Sequence, residues 1–315
     1  MVYVLGIDVG GTNINVAVGK VVPTGVKIIL HKMYESKNYN SIVPVIDDIL
    51  DKIQVKVDSC CIGGAGPVDK GIINLTNLTF KINTKEITKK CKLNNVFLVN
   101  DFQLIGYGIN MISNKDVKII KKGKSEKGGV ISLIGAGSGL GKSILVNDNG
   151  YYPLASEGGH VDFCPRSDLE WELFNSIKGD YENYLSGSGL INIFKFFSKS
   201  AKLKECDKEI LKNKDPSFIF EYKNKSKIAS LTVKMWIKLY SRCIRNFALD
   251  TMSTGGVYIA GGIAAKNYSF FDKEFEKEFT RGRMKDILKD IPVCIITNYD
   301  ISLYGALYAA KKFNV

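Results

Sequence analysis

Histidine and tryptophan are scarce in this chain, two of each among 315 residues, and there are only five arginines. With His31 and His160 alone, and no CxxC pair among seven cysteines, a zinc site of the common kinds is not expected. The cysteines (Cys60, Cys61, Cys91, Cys164, Cys206, Cys243 and Cys294) are odd in number and irregularly spaced. That argues against a disulfide framework and for a reducing, cytoplasmic setting, with the thiols as core fillers. No apolar run reaches the roughly 18–20 residues that cross a bilayer, so no membrane partner is expected. The opening Met1–Asp8 has no basic leader, and Asp8 interrupts its apolar run, which argues against a signal peptide. The shortage of arginine also bears on the formal net charge of +12. A basic balance invites a nucleic-acid reading, but arginine supplies the bidentate contacts that phosphates and bases favour. Arg166, Arg242, Arg245, Arg281 and Arg283 are outnumbered by lysines scattered over the whole chain. The charge reads as a solvated surface, and no nucleic-acid partner is expected.

What is present is globular. The chain is 45% hydrophobic and 24% charged, and its length fits two domains at about 100–200 residues each. Residues 2–7 are an apolar run ending at Asp8, followed by Gly10-Gly11-Thr12-Asn13 and then alternating stretches at 14–22 and 26–31. Strand, glycine turn, strand is not the strand–turn–helix of a dinucleotide fold. Apolar spacing predicts helices over 40–53 and 102–111, with strands at 59–62 and 96–99. The lysine, glycine and serine composition of 110–128 marks a domain border. Beyond it lie a buried strand at 129–134, the glycine-rich 135–141, a hairpin around Asp148-Asn149-Gly150, and helices over 168–178 and from 187. Residues 195–238 read as surface helices, and 232–251 as a helix packed on a sheet. Strands at 257–259 and 293–296 and a small-residue helix at 302–310 follow. The glycine turn near residue 10 recurs near residue 136, as two related halves would require.

Three glycine-rich elements follow strands, at 10–13, 135–141 and 261–262. Glycine lets backbone amides approach a phosphate, and Thr12 and Ser138 add hydroxyls. Asp8 at a strand end suits magnesium, which takes few carboxylates plus substrate phosphates. Ala136 to Ser143 is close to a GxxxxGK[ST] loop, but the residues after Ser143 read as a hairpin rather than the helix that motif needs. Lys142, directly after the glycine loop, is placed to touch a phosphate. Asn100-Asp101 ends a strand, where α/β active sites lie; Asp101 is either a general base or the N-cap of the next helix. Glu157-Gly158-Gly159-His160 and Glu182 offer carboxylates and an imidazole to paired sugar hydroxyls, and His160 is otherwise a surface or core histidine.

Together these motifs resemble the bacterial-type ATP-dependent glucokinase family, of the hexokinase–actin sugar-kinase superfamily. The resemblance runs nearly end to end. It rests on Gly6-Ile7-Asp8-Val9-Gly10-Gly11-Thr12-Asn13, Ala65-Gly66-Pro67-Val68, Thr76-Asn77, Val99-Asn100-Asp101-Phe102, Gly135–Gly141, Ser156-Glu157-Gly158-Gly159-His160-Val161-Asp162-Phe163 and Gly255–Ile263. The resemblance implies an α/β fold of two ribonuclease-H-like domains with the active site in a cleft between them. Residues 1–110, completed by the C-terminal helix 300–315, would form the smaller domain and 111–299 the larger. It implies transfer of the γ-phosphoryl group of ATP to the 6-hydroxyl of D-glucose, with Mg2+ as cofactor. Asp101 would be the base. Asn77, Asn100, Glu157, His160 and Glu182 would hold the sugar. Asp8, directly or through water, would serve the metal, and Gly10, Gly11, Thr12, Asn13, Gly137, Ser138, Gly261 and Gly262 the nucleotide. A kinase for mannose, fructose or an amino sugar, and a non-catalytic sugar sensor, remain alternatives. A homodimer is expected on general frequency.

Overall fold

The computed structural model describes residues 1–76 and 78–314. It divides into two units, residues 1–113 with 148–155 and 298–315, and residues 114–147 with 156–297. The first border falls near the lysine-rich stretch where composition changes. The sequence reading kept 148–155 with the larger domain; the structure counts that segment with the first unit. Among the described residues, no helix is long and apolar enough to cross a membrane.

The first unit opens with β1 (Tyr3–Val9), β2 (Asn13–Val22) and β3 (Gly25–Glu35), then α1 (Val43–Lys52) and β4 (Ser59–Gly64). A small sheet of β5 (Val68–Asp69), β6 (Ile72–Asn74) and β7 (Lys81–Asn83) precedes α2 (Thr84–Cys91), β8 (Val96–Asn100) and α3 (Asp101–Gly108). Its main sheet has the order β3-β2-β1-β4-β8. The first three strands are antiparallel, and β1, β4 and β8 run parallel. β1 and β4 are buried along most of their length and read as near-continuous apolar runs, as parallel strands covered on both faces do. α1 covers one face with Val45, Ile46 and Ile49, all fully buried.

The second unit holds β9 (Val117–Lys121), β10 (Ile131–Ala136) and β11 (Leu140–Asn147). β12 (Tyr151–Ser156) follows, mostly in the first unit's segment. Next come α4 (Asp168–Ile177), α5 (Gly187–Ser198), α6 (Glu205–Asn213), α7 (Ser217–Glu221) and α8 (Lys227–Asp250). β13 (Gly256–Ala260), α9 (Gly262–Lys266), α10 (Lys273–Phe279), α11 (Lys285–Asp290) and β14 (Val293–Ile296) complete it. α12 (Ile301–Lys312) belongs to the first unit. Within the second unit the strands lie in the order β11-β10-β13-β14-β9, with β10, β13 and β14 parallel. Both sheets thus place an antiparallel hairpin beside parallel strands, with a glycine turn closing each hairpin.

Two expectations are corrected. The first is that 195–238 are surface helices throughout. Ile210 and Ile219 are fully buried, and α8 begins at Lys227 and buries Ile228 and Ala229 ahead of the 232–251 stretch read as a packed helix. Lysines on its outer face obscure the apolar stripe. The second is that 110–128 is only a border: Val117–Lys121 pairs with β14 as an edge strand. Lys121 there is buried, and its Nζ donates to the carbonyls of Lys122, Lys289 and Ile291. Burial pulls its pKa below the usual lysine value.

A charged cluster is built on α8. Glu170 is fully buried and accepts from Arg242 at 2.8 Å, with Lys238 also at 2.8 Å. Burial pushes the Glu170 carboxyl up, but Lys238 and Arg242 outweigh it and hold the group below the usual carboxylate range. Arg245 is buried beside Glu278. Two of the five arginines are therefore committed to the interior.

Candidate functional site

In the first unit, strand register assembles the site. Val9 pairs with Gly64, and Gly64 with Asn100, in a row across three parallel strands. Asp8 sits one residue before that row and Asp101 one after it, both at the carboxyl edge of the sheet. Two strand spacings, roughly 10 Å, separate β1 from β8. Each carboxylate lies in the other's field, and that charge helps raise the Asp8 pKa. Burial is the larger cause, and a hydrogen bond from Ser302 works against both.

The Ser302 hydroxyl donates to Asp8 Oδ2 at 2.5 Å. It stands in the first turn of α12, a 12-residue helix whose N-terminal dipole favours negative charge. Ser302 was not among the sequence candidates; its position at the head of a helix after a strand is the only local signal. The Gly10–Asn13 turn is clamped from below by Ser36, which is buried, donates its hydroxyl to the Gly10 carbonyl at 2.7 Å, and gives its amide to Thr12. Gly11 and Thr12 remain exposed above it.

The helix cap is Asn100, not Asp101. Its Oδ1 accepts from the Gln103 amide at 2.7 Å, while Gln103 Oε1 accepts from the Asn100 amide at 3.2 Å, a reciprocal capping box. This leaves the Asn100 side-chain NH2 as a donor. It also presents Asp101 as an exposed residue in the first turn of α3. One Asp101 oxygen accepts from the Phe102 amide at 2.9 Å. Asn77 lies outside the described residues.

In the second unit, the glycine turn between β10 and β11 and the Gly261–Gly262 segment after β13 lie side by side. Gly135 pairs with Ala260. Gly261, at φ +96°, passes so close that a Cβ there would sit 2.6 Å from the Ala136 carbonyl oxygen. By contrast, a Cβ on Gly137 or Gly262 would meet nothing within 4 Å. These two glycines leave open space over the backbone, as a phosphate cradle requires. Ser143 continues into β11 rather than a helix, so the P-loop alternative is set aside. Lys142 turns inward: it is buried, with Nζ over the rings of Phe247 and Tyr181 at 5.2 and 5.8 Å. The expectation that it touches a phosphate is corrected with it.

The backbone of Leu140 is held between two turns. On one side, the 3-10 turn Gly158–His160 packs so tightly that a Cβ on Gly159 would lie 1.9 Å from the Leu140 carbonyl oxygen. On the other, Glu182 Oε2 accepts from the Leu140 amide at 2.8 Å. One carboxylate oxygen of Glu182 is thereby tied to the glycine loop, leaving Oε1 as an acceptor. Glu157 and His160 are exposed. His160 Nδ1 lies 2.8 Å from Asp180 Oδ2. That hydrogen bond is the main cause of a His160 pKa above the ordinary imidazole value, with Glu182, Asp180 and Glu157 adding their fields against partial burial. Asp180 is a second residue the sequence candidates omitted.

The donor sets fit the groups implied by the sequence resemblance. A single carboxylate with one oxygen bound by Ser302 suits a magnesium ion carried on phosphates, not a dedicated protein cage. Glycine turns with room above them suit the phosphates themselves.

Fold and motifs together define a chain of the hexokinase-like sugar-kinase superfamily. A family model described as Glucokinase matches residues 5–313. The glucokinase of Nostoc punctiforme is 30% identical over 344 residues, covering 99% of this chain and all of that one. That of Yersinia enterocolitica is 33% identical over 314 residues, covering 96% and 95%. The chain belongs to the glucokinase family. Among solved structures, a glucokinase from an Antarctic psychrotroph superimposes with a TM-score of 0.87 at 23% identity, covering 99% of both chains. One from Balamuthia mandrillaris in complex with glucose gives 0.81 at 21%, covering 98% and 94%. These structural likenesses bear on the fold.

Proposed function

We propose that this protein transfers the γ-phosphoryl group of ATP to the 6-hydroxyl of D-glucose, giving glucose 6-phosphate and ADP. The observation that carries the reading is Asp101. Its side chain is exposed in the first turn of a helix that follows a strand end, and the capping box of that helix is made by Asn100 and Gln103. In this reading Asp101 orients the sugar hydroxyl and takes its proton as the oxygen attacks phosphorus in line. Asn100, Glu157, His160 and Glu182 hold the remaining hydroxyls. The amides of the glycine turns at 10–13, 137–138 and 261–262 receive the phosphates. Asp8, held by Ser302, would hold Mg2+, which when bound neutralises charge on the transferring group. The reaction needs groups from both units, and the interdomain cleft implied by the sequence resemblance is part of the proposal. So are a cytoplasmic setting and a homodimer.

The test is a coupled assay of sugar-dependent ADP release from ATP and Mg2+, over glucose, mannose, fructose, glucosamine and N-acetylmannosamine. Turnover is expected on glucose. Asp101→Asn should lose at least ~10²-fold in kcat while sugar affinity stays within a few-fold. Preferred turnover on another hexose would replace the substrate, and near-normal turnover in the variant would remove Asp101 from the chemistry.

A further inference from the structure

His160 and Asp180 form a small device built from local structure. Asp180 opens the 3-10 turn Tyr181–Asn183: its Oδ1 accepts from the Asn183 amide at 3.3 Å, and Asn183 Oδ1 accepts from the Asp180 amide at 2.9 Å. A β-bridge joins Asp180 to Asp162, two residues beyond His160. The Tyr181 amide donates to the Val161 carbonyl at 3.0 Å. The backbones carrying the two side chains are thus pinned together on both sides. The capping box uses Oδ1, and Oδ2 is the oxygen that faces His160 Nδ1. An ionised carboxylate only accepts, so Nδ1 must carry the proton. Nε2 is then the nitrogen presented outward, on a ring whose side chain is 53% exposed.

We propose that Asp180 is a positioning residue for sugar recognition: it holds His160 in the Nδ1–H form with Nε2 turned to the sugar hydroxyl. This rests on the reading of His160 as a sugar ligand. With Asp180 in place, neutral His160 accepts from a hydroxyl through Nε2, and charged His160 donates to one. The exchange between the two states is set by the carboxylates that act on the ring, namely Asp180, Glu182 and Glu157. Without Asp180 the ring is released from its rotamer, and the Nε2–H form, which can only donate at Nε2, becomes available.

The test is by nuclear magnetic resonance, because the chain has only two histidines and His31→Gln assigns both signals. In the wild-type protein at high pH, 15N shifts should report His160 protonated on Nδ1; a ring protonated on Nε2 would overturn the proposal without any variant. Asp180→Asn keeps a capping oxygen for the Asn183 amide. It is expected to lower the pH at which His160 titrates and raise the glucose KM about ten-fold, with kcat changed only a few-fold. Asp180→Ala should move the signal the same way and also lose the ring's orientation. An unmoved titration, or a moved titration with unchanged KM, would overturn the role. If the wild-type protein phosphorylates no sugar and glucose leaves the His160 signal unmoved, the functional reading fails instead. The tautomer result still judges the His160–Asp180 arrangement.

Discussion

At the scale of single residues, the glycines of the second unit fall into two kinds that the sequence does not separate. Gly159 is required by the fold, because Leu140 O occupies the place of its Cβ. Gly137 is not, since nothing of the protein lies within 4 Å of a Cβ there. The two should therefore respond oppositely to alanine. Gly137→Ala is expected to leave unfolding stability within about 0.5 kcal/mol while raising the KM for ATP. Gly159→Ala should destabilise by roughly 1–3 kcal/mol and weaken sugar binding as the His160 turn moves off Leu140. Chemical denaturation beside steady-state kinetics separates the outcomes; equal ATP kinetics in Gly137→Ala and wild type would argue that this turn does not cradle phosphate. Asp8, Asn100, Asp101, Glu157, His160 and Glu182 were all legible as residue types at strand ends or glycine turns. Ser302, Ser36 and Asp180 were not. Their roles come from distant partners, 294 residues away for Ser302 and Asp8, 26 for Ser36 and Gly10.

At the scale of elements, α3 carries Asp101 and is set in place by α12. The two helices cross at glycines. A Cβ on Gly305 would lie 1.7 Å from the Leu104 carbonyl oxygen, and one on Gly108 would lie 2.2 Å from that of Ile301. Leu303, Ala306 and Leu307 pack with Leu104 and Tyr107 in the same core cluster. The final helix read from sequence as a small-residue helix with one glycine; its neighbour across that glycine was not readable. Gly305→Ala is expected to cost roughly 1–3 kcal/mol by overpacking. Because the same helix bears Ser302 and fixes α3, kcat should fall with it. A thermal scan and a single-substrate assay suffice: full kcat at the wild-type melting temperature would mean the crossing tolerates a methyl group. The misread segments show the converse limit. In 205–231 and 117–121, lysines interrupt the apolar pattern, yet Ile210, Ile219 and Ile228 are core and Lys121 is buried by donating to three carbonyls. A lysine whose cation is satisfied by backbone carbonyls cannot be told from a surface lysine by spacing alone.

At the scale of the whole molecule, the excess of +12 charges is expected to form a solvated surface rather than a nucleic-acid site. Arg242 and Arg245 are spent on Glu170 and Glu278 inside the second unit, and the exposed Arg281 also pairs with Glu278, which leaves Arg166 and Arg283 without an ion pair in that cluster. Binding of duplex DNA at physiological salt is expected to be undetectable. Weak retention at low salt should vanish with a steep logarithmic salt dependence, as for lysine–phosphate contacts without base reading. A sequence-dependent affinity that survives 0.15 M salt would reverse this view. The sequence by itself determined the fold class, the family, the three glycine turns and most residues with chemistry to offer, because each is written in short-range signals: apolar strands, glycine where backbone must stay bare, and polar groups at strand ends. Only the tertiary structure decided which glycines face open space, which carboxylate oxygens are already spoken for, and which residues hold the others in place. Those depend on register between strands and on contacts between segments far apart in the chain, which local pattern does not encode.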